Sequence, residues 1–231
     1  DLHRRRHSFP TRRSSDLSEY INNRTISSRI NGLDKIIAFL LDPTTILIQN
    51  LINHDSFTLN NDSNIDFLDF NKKGSKLIMR VANKQLSIYD INERKKYSLL
   101  NFCGFAQWIS NTDVLVAQEG KNLCVWYDIN NLNNVKVHAI KGDIEEVRKK
   151  DNKTEVVIID ESGDNKTYPL DNHLIDISLA IDNNDLSKAA SLLEYIGQKP
   201  ESEMFWRSLA NKALLEKNLV IAQQCFASIG N

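Results

Sequence analysis

A short apolar word occurs three times at a spacing of about forty residues, and this recurrence restricts the possible folds more than any other feature. Ile46-x-Ile48-x-Asn50-Leu51 comes back forty positions later as Leu86-x-Ile88-Tyr89-Asp90-Ile91. Thirty-eight positions further on, Cys124-Val125-Trp126-Tyr127-Asp128-Ile129 fills the same slot. A second apolar run precedes each word: Lys35–Phe39, Ser75–Met79 and Asp113–Ala117. Ahead of two of these stand Ile65–Phe70 and Phe102–Trp108, with Phe67/Phe105 and Phe70/Trp108 thirty-eight apart. The runs are short, alternate between apolar and polar, and are separated by Asn, Asp, Gly and Lys clusters, which is the signature of strands and tight turns. A unit this small cannot bury its own apolar face, so consecutive copies must pack on one another.

A fourth, weaker copy runs through Ile144–Val147, Glu155–Ile159 and Lys166–Leu170. A period near forty with about four short strands per period is the spacing of a WD-type propeller blade. Tyr89-Asp90 and Tyr127-Asp128 stand where that repeat ends its third strand. They are not the literal Trp-Asp pair, and no Gly-His dipeptide precedes them. Residues 18–171 are therefore expected to form a divergent, partial WD40-like β-propeller of about four blades.

After Asp171 the period changes to that of a helix. Leu186, Ala189, Ala190, Leu193 and Ile196 follow i, i+3, i+4, i+7 spacing, with Gly197 placed to cap the C-terminus. The pattern repeats at an offset of thirty-three: Leu186 maps to Leu219, Ala189 to Ala222, Leu193 to Phe226, Ile196 to Ile229 and Gly197 to Gly230. Ala180 and Ile181 map to Ala213 and Leu214, and Pro200 reads as the linker between hairpins. This period is close to that of tetratricopeptide-like solenoids, so residues 172–231 are expected to be TPR-like α-hairpins. The fold class is multi-domain, β then α. Four blades are few for a closed propeller and two hairpins few for a solenoid, so the chain reads as a fragment of a larger protein. Both ends are expected to expose apolar surface, and residues 18–231 alone to aggregate or bind a hydrophobic dye.

Residues 1–17 are out of register with everything that follows. His7-Ser8-Phe9-Pro10-Thr11-Arg12-Arg13-Ser14-Ser15-Asp16-Leu17 resembles the translation of a sequencing-adapter oligonucleotide, so the five arginines here are set aside as an artefact, disordered in expectation. Without them 24 basic residues face 28 acidic ones, which removes the charge argument for nucleic-acid binding. Cys103, Cys124 and Cys225 are odd in number, dispersed and form no C-x-x-C pair, the pattern of buried reduced thiols rather than of a disulfide framework or zinc site. The longest apolar runs, such as Ile36–Leu41, are too short to span a bilayer.

No motif for catalysis emerges. There is no Gly-rich phosphate loop among eight glycines, and His54, His138 and His173 share no ligand spacing. Asp160-Glu161-Ser162-Gly163-Asp164 lacks the order of a calcium loop and reads as an acidic hairpin tip with Gly163 in the turn. Arg94-Lys95-Lys96 and Arg148-Lys149-Lys150 read as solvated loops, the Asn-x-Ser/Thr triplets at Asn23, Asn61, Asn152 and Asn165 as chance products of an asparagine-rich chain, and Trp108, Trp126 and Trp206 as packing residues. Catalytic, cofactor-binding and metal sites are thus all expected to be absent.

The wording of the repeats carries a more specific likeness. Asn101-Phe102-Cys103-Gly104-Phe105-Ala106-Gln107-Trp108, Asp113-Val114-Leu115-Val116-Ala117-Gln118 and Asn122-Leu123-Cys124-Val125-Trp126-Tyr127 resemble the large propeller-and-solenoid subunits of intraflagellar transport complex B. The likeness continues through Lys141-Gly142-Asp143, Lys153-Thr154-Glu155-Val156, Ala180-Ile181-Asp182 and Ala222–Ala227, covering most of 66–231. The repeat itself does not require Cys103, Gln107, Gln118 or Cys124. The resemblance implies a non-enzymatic scaffold required for cilium assembly and for cargo transport along axonemal microtubules. Its partners would be other complex B subunits, and its location the cilium, axoneme, basal body and cytoplasm. A vesicle-coat subunit of coatomer type shares the same expected architecture and is the alternative.

Overall fold

The computed structural model describes residues 26–30, 35–197 and 200–229. The adapter-like residues 1–17, Asn23, Gly230 and Asn231 lie outside the described residues. Fifteen described strands form four antiparallel sheets in chain order. Sheet 1 contains β1 Ile26–Ile30, β2 Lys35–Asp42, β3 Thr45–Asn50 and β4 Ser56–Asn60. Sheet 2 contains β5 Ile65–Phe70, β6 Lys76–Val81, β7 Leu86–Asp90 and β8 Lys95–Leu100. Sheet 3 contains β9 Cys103–Trp108, β10 Leu115–Glu119, β11 Asn122–Trp126 and β12 Lys136–Ala139. Sheet 4 has three strands, β13 Asp143–Lys150, β14 Lys153–Ile159 and β15 Asn165–Pro169. Within every sheet each strand pairs with its sequence neighbour, so each forty-residue repeat is one meander. The recurring word is the third strand: β3, β7 and β11.

The core explains why the strands are apolar at consecutive positions. Side chains alternate across a strand, so a sheet buried on both faces needs apolar residues at odd and even positions alike. On β6, Leu77 and Met79 join a cluster with Ala38, Ile46 and Ile48 of sheet 1, while Ile78 faces the other way into a cluster with Trp108, Leu115 and Trp126 of sheet 3. On β11, Cys124 and Trp126 point toward sheet 2, whereas Leu123 and Val125 meet Val156 and Ile158 of sheet 4. Each interface between consecutive sheets has its own apolar layer. The first strands also meet: β1 lies against β5, β5 against β9 and β9 against β13.

Four helices follow among the described residues: α1 Asn172–Asp182, α2 Leu186–Ile196, α3 Pro200–Leu215 and α4 Leu219–Ile229. Asp171 caps α1, its carboxylate accepting the N–H groups of His173 and Leu174. Leu174, Ile175 and Ile177 of α1 enter the same cluster as Val116, Val125 and Val156, so the helices are rooted in the core of sheets 3 and 4. The thirty-three-residue offset reappears in backbone hydrogen bonds at the turns. Asn183, Asn184 and Asp185 donate to the carbonyls of Leu179, Ile181 and Ala180, and Glu216, Lys217 and Asn218 donate to those of Lys212, Leu214 and Ala213. Gly197 caps α2 at φ 77°, a backbone conformation that residues with a side chain rarely adopt.

Two local expectations need correction. Pro200 is not in a linker but opens α3, where the missing N–H would lack an intrahelical partner in any residue and the fixed φ suits the first turn. The basic runs are only partly loop: Arg94 lies in the turn before β8, but Lys95 and Lys96 start β8 and Arg148–Lys150 end β13, all with exposed side chains. Their alternate positions on exposed strand edges tolerate charge on both faces, which erases the period-two signal that would have revealed them.

Candidate interaction surfaces

The residues with chemical potential are dispersed. The ring of His138 of β12 lies 5.2 Å from that of Tyr168 of β15, and the ring of His173 of α1 lies 5.6 Å from that of Tyr195 of α2, both pairs tilted. His54 is exposed in the β3–β4 turn with φ 62°. Asp160 organises the β14–β15 turn: it accepts the N–H groups of Ser162 and Asp164 at 2.9 and 3.0 Å and the Lys166 ammonium at 2.6 Å. These bonds, the Lys166 one foremost, hold its carboxyl below the ordinary carboxylate range. Gly163 closes the turn by donating to the Asp160 carbonyl at 3.0 Å. A carboxylate so committed is a turn anchor, not a proton carrier. Burial pushes the thiols of Cys103, Cys124 and Cys225 up to about 11. Among the described residues, no group of three or more His, Cys, Asp or Glu side chains is placed to hold a metal ion.

Polar side chains instead join one sheet to the next. Trp108 Nε1 donates to the Asp69 carbonyl at 3.2 Å, and Arg80 reaches from Asp66 across to the Gly104 carbonyl at 3.1 Å, linking sheets 2 and 3. Gln107 imitates a strand residue toward Val147 of β13: its amide N–H donates to the Val147 carbonyl at 3.2 Å and its oxygen accepts the Val147 N–H at 3.1 Å. Gln118, 3% exposed, accepts the Ile144 N–H at 2.7 Å and donates to the carbonyls of Gly120 and Gly142 and to Asp143. The Ile144 contact lies beside the β13–β14 register shift between Ile144 and Glu146, and because β13 is an edge strand of sheet 4, Gln118 satisfies a backbone N–H that this edge presents. These two glutamines are among the residues the repeat pattern does not require; that excess was the available signal of their role, but not of its nature.

What remains free is surface. The last helix pair exposes Leu214, Leu215, Leu219, Val220 and Phe226. Their counterparts thirty-three residues earlier include Leu186 and Leu193, which are 6% and 0% exposed against 69% for Leu219 and 52% for Phe226. A crevice of about 500 Å³ separates the Asp128–Asn131 segment from α3, with Met204, Arg207 and Lys212 on the helix side. A second, of about 570 Å³, lies between β7–β8 and the Ile129–Asn133 segment.

No protein-family model matches the chain. Curated proteins do. The chain is 37% identical over 222 residues to intraflagellar transport protein 172 homolog of Danio rerio, covering 93% of this chain and 13% of the relative. It is 34% identical over 226 residues to intraflagellar transport protein 172 of Chlamydomonas reinhardtii, covering 96% of the chain and 13% of that protein. It is 34% identical over 223 residues to intraflagellar transport protein osm-1 of Caenorhabditis elegans, covering 93% and 13%. Among solved structures, the C-terminal WD40 domain of Sif2 matches 63% of this chain and 46% of its own at 16% identity with a TM-score of 0.44. The chain thus spans about 13% of the length of these relatives. By descent it belongs with the intraflagellar transport protein 172 sequences, as the counterpart of one segment of them.

Proposed function

We propose that this chain is a non-enzymatic scaffold segment of an intraflagellar transport train, working in cilium assembly and in cargo movement along axonemal microtubules. The observation that carries this reading is 34–37% identity to intraflagellar transport protein 172 relatives along more than nine-tenths of the chain. The partners it proposes are other complex B subunits, and its location is the cilium or flagellum, with axoneme, basal body and a cytoplasmic pool.

The architecture proposed for this role is a partial WD-type propeller continued by TPR-like hairpins, divided near residue 171. Successive meanders whose first strands lie side by side, each interface with its own apolar layer, support the blade reading. Identical turn hydrogen bonds at an offset of thirty-three support the hairpin repeat. A scaffold needs wide, fixed surfaces rather than a reactive centre, and the polar bonds between sheets keep those surfaces in register. The test is location: a fluorescent tag on the full-length protein in ciliated cells should mark cilia and their bases. Golgi puncta with empty cilia would overturn the reading and favour a vesicle coat.

A further inference from the structure

The turn between β5 and β6 places two lysines against the far end of α1, more than a hundred residues away in sequence. Asn71, 1% exposed, builds this turn: its side-chain oxygen accepts the Lys76 N–H at 2.9 Å, its amide donates to Ser75 Oγ at 3.2 Å, and its carbonyl accepts the Gly74 N–H at 3.1 Å. Lys72 and Lys73 therefore project from a fixed base. Lys72 Nζ donates to Asn183 Oδ1 at 3.2 Å, the residue that ends α1. Lys73 Nζ donates to Asp182 Oδ1 at 2.8 Å and lies 3.5 Å from Asp113 Oδ2 in the β9–β10 turn. One ammonium thus joins sheet 2, sheet 3 and the helices.

Electrostatics make this junction dependent on that single charge. Asp182 sits in the last turn of α1, at the negative end of the helix dipole, and α1 has no basic residue of its own there. Its side chain is 11% exposed and that of Asp113 is 6% exposed. Asp113 Oδ1 is buried with no hydrogen-bond partner. Asp128, whose carboxylate accepts the Asn130 N–H, adds a further negative charge near Asp182. Burial raises the Asp182 carboxyl, Lys73 opposes the rise, and Asp113 and Asp128 add to it. Across the crevice, Arg207 and Lys212 of α3 are paired with Glu203 and Glu216. Among the described residues, Lys73 is the cation within 4 Å of both Asp113 and Asp182. Two buried carboxylates are left without a counter-charge when it is neutralised, an arrangement that low-dielectric surroundings strongly disfavour.

We propose that the Lys72–Lys73 turn is an electrostatic latch that fixes the angle at which the helices leave the sheets, and that neutralising Lys73 frees that angle. The apolar root of α1 keeps the helices attached, while the latch holds the distal end of α1 and hence the direction of everything after it. This device does not depend on the transport reading.

Pulsed electron spin resonance on the whole chain tests it. Spin labels go on Thr58→Cys of β4 and Ser187→Cys of α2, both exposed; the three native thiols are buried. One narrow distance distribution is expected for the otherwise unchanged chain and for Lys73→Arg. Lys73→Met should broaden and shift the distribution, and adding Asp182→Asn to Lys73→Met should recover part of the narrowness by removing a stranded charge. An unchanged distribution in folded Lys73→Met overturns the proposal. Should Lys73→Met not fold, salt decides on the labelled chain itself, because Lys73 is 40% exposed and open to screening. Broadening between about 0.05 and about 1 M KCl supports the latch, and no change overturns it.

Discussion

At the scale of single residues, polar contacts cross between sheets, and the buried apolar side chains, aliphatic and aromatic together, supply the burial that stabilises them. Trp126 is 2% exposed, packs among Ile88, Leu115 and Cys124, and donates Nε1–H to the Leu132 carbonyl at 3.0 Å. Trp126→Ala should lower unfolding free energy by about 3–5 kcal/mol in denaturant titration. A change near zero would contradict its place between sheets 2 and 3. Gln107→Leu removes the partners of both the Val147 N–H and the Val147 carbonyl and should cost about 1–3 kcal/mol, with faster exchange of the Val147 amide. The thiols supply a pH prediction. Their folded values near 11 lie above that of an unfolded cysteine, so the folded state binds more protons in between. Stability should be insensitive to these groups at neutral pH and fall as pH rises from about 8.5 toward about 11. A stability curve flat through that range would mean the thiols are solvated.

At the scale of elements, the strands were legible because burial on two faces leaves a dense apolar record, as in Leu77-Ile78-Met79 and Leu123-Cys124-Val125-Trp126. The C-cap of α2 was legible too, since Gly197 follows the last apolar position of the helical period, whereas the capping role of Asp171 emerges only from its hydrogen bonds to the His173 and Leu174 N–H groups. Pro200 has an ambiguous sequence context, because a proline marks both linkers and first helical turns and its neighbours do not separate the two. The strand-end basic residues look like loop in sequence because exposed edges carry no alternation. Gly142 shows what a turn before a strand demands: its φ is 128°, and a Cβ there would come within 2.1 Å of the Ile159 carbonyl oxygen. Gly142→Ala should destabilise the β12–β13 connection by at least about 2 kcal/mol in thermal or chemical melts. Gly163, whose Cβ would meet nothing within 4 Å, is the control, limited to the cost of its backbone conformation.

At the scale of the whole molecule, sequence could not disclose which residues join the repeats. Gln107 and Val147 are forty positions apart, Lys73 and Asp182 more than a hundred, and no local pattern couples them. Nor did the change of period at Asp171 disclose that sheets 3 and 4 and the helices share one core, because a period reports local geometry and not what an apolar face meets. That shared core makes the helices an extension of the sheets rather than an appendage, which is the physical basis of the scaffold proposed here. Hydrogen exchange on the whole chain tests it most directly. Amides in β10, β11, β14 and α1 should open together with one common free energy, since Val116, Val125, Val156 and Ile177 belong to one cluster. Exchange of α1 at rates far above those of β11 and β14, with the sheets still protected, would contradict it.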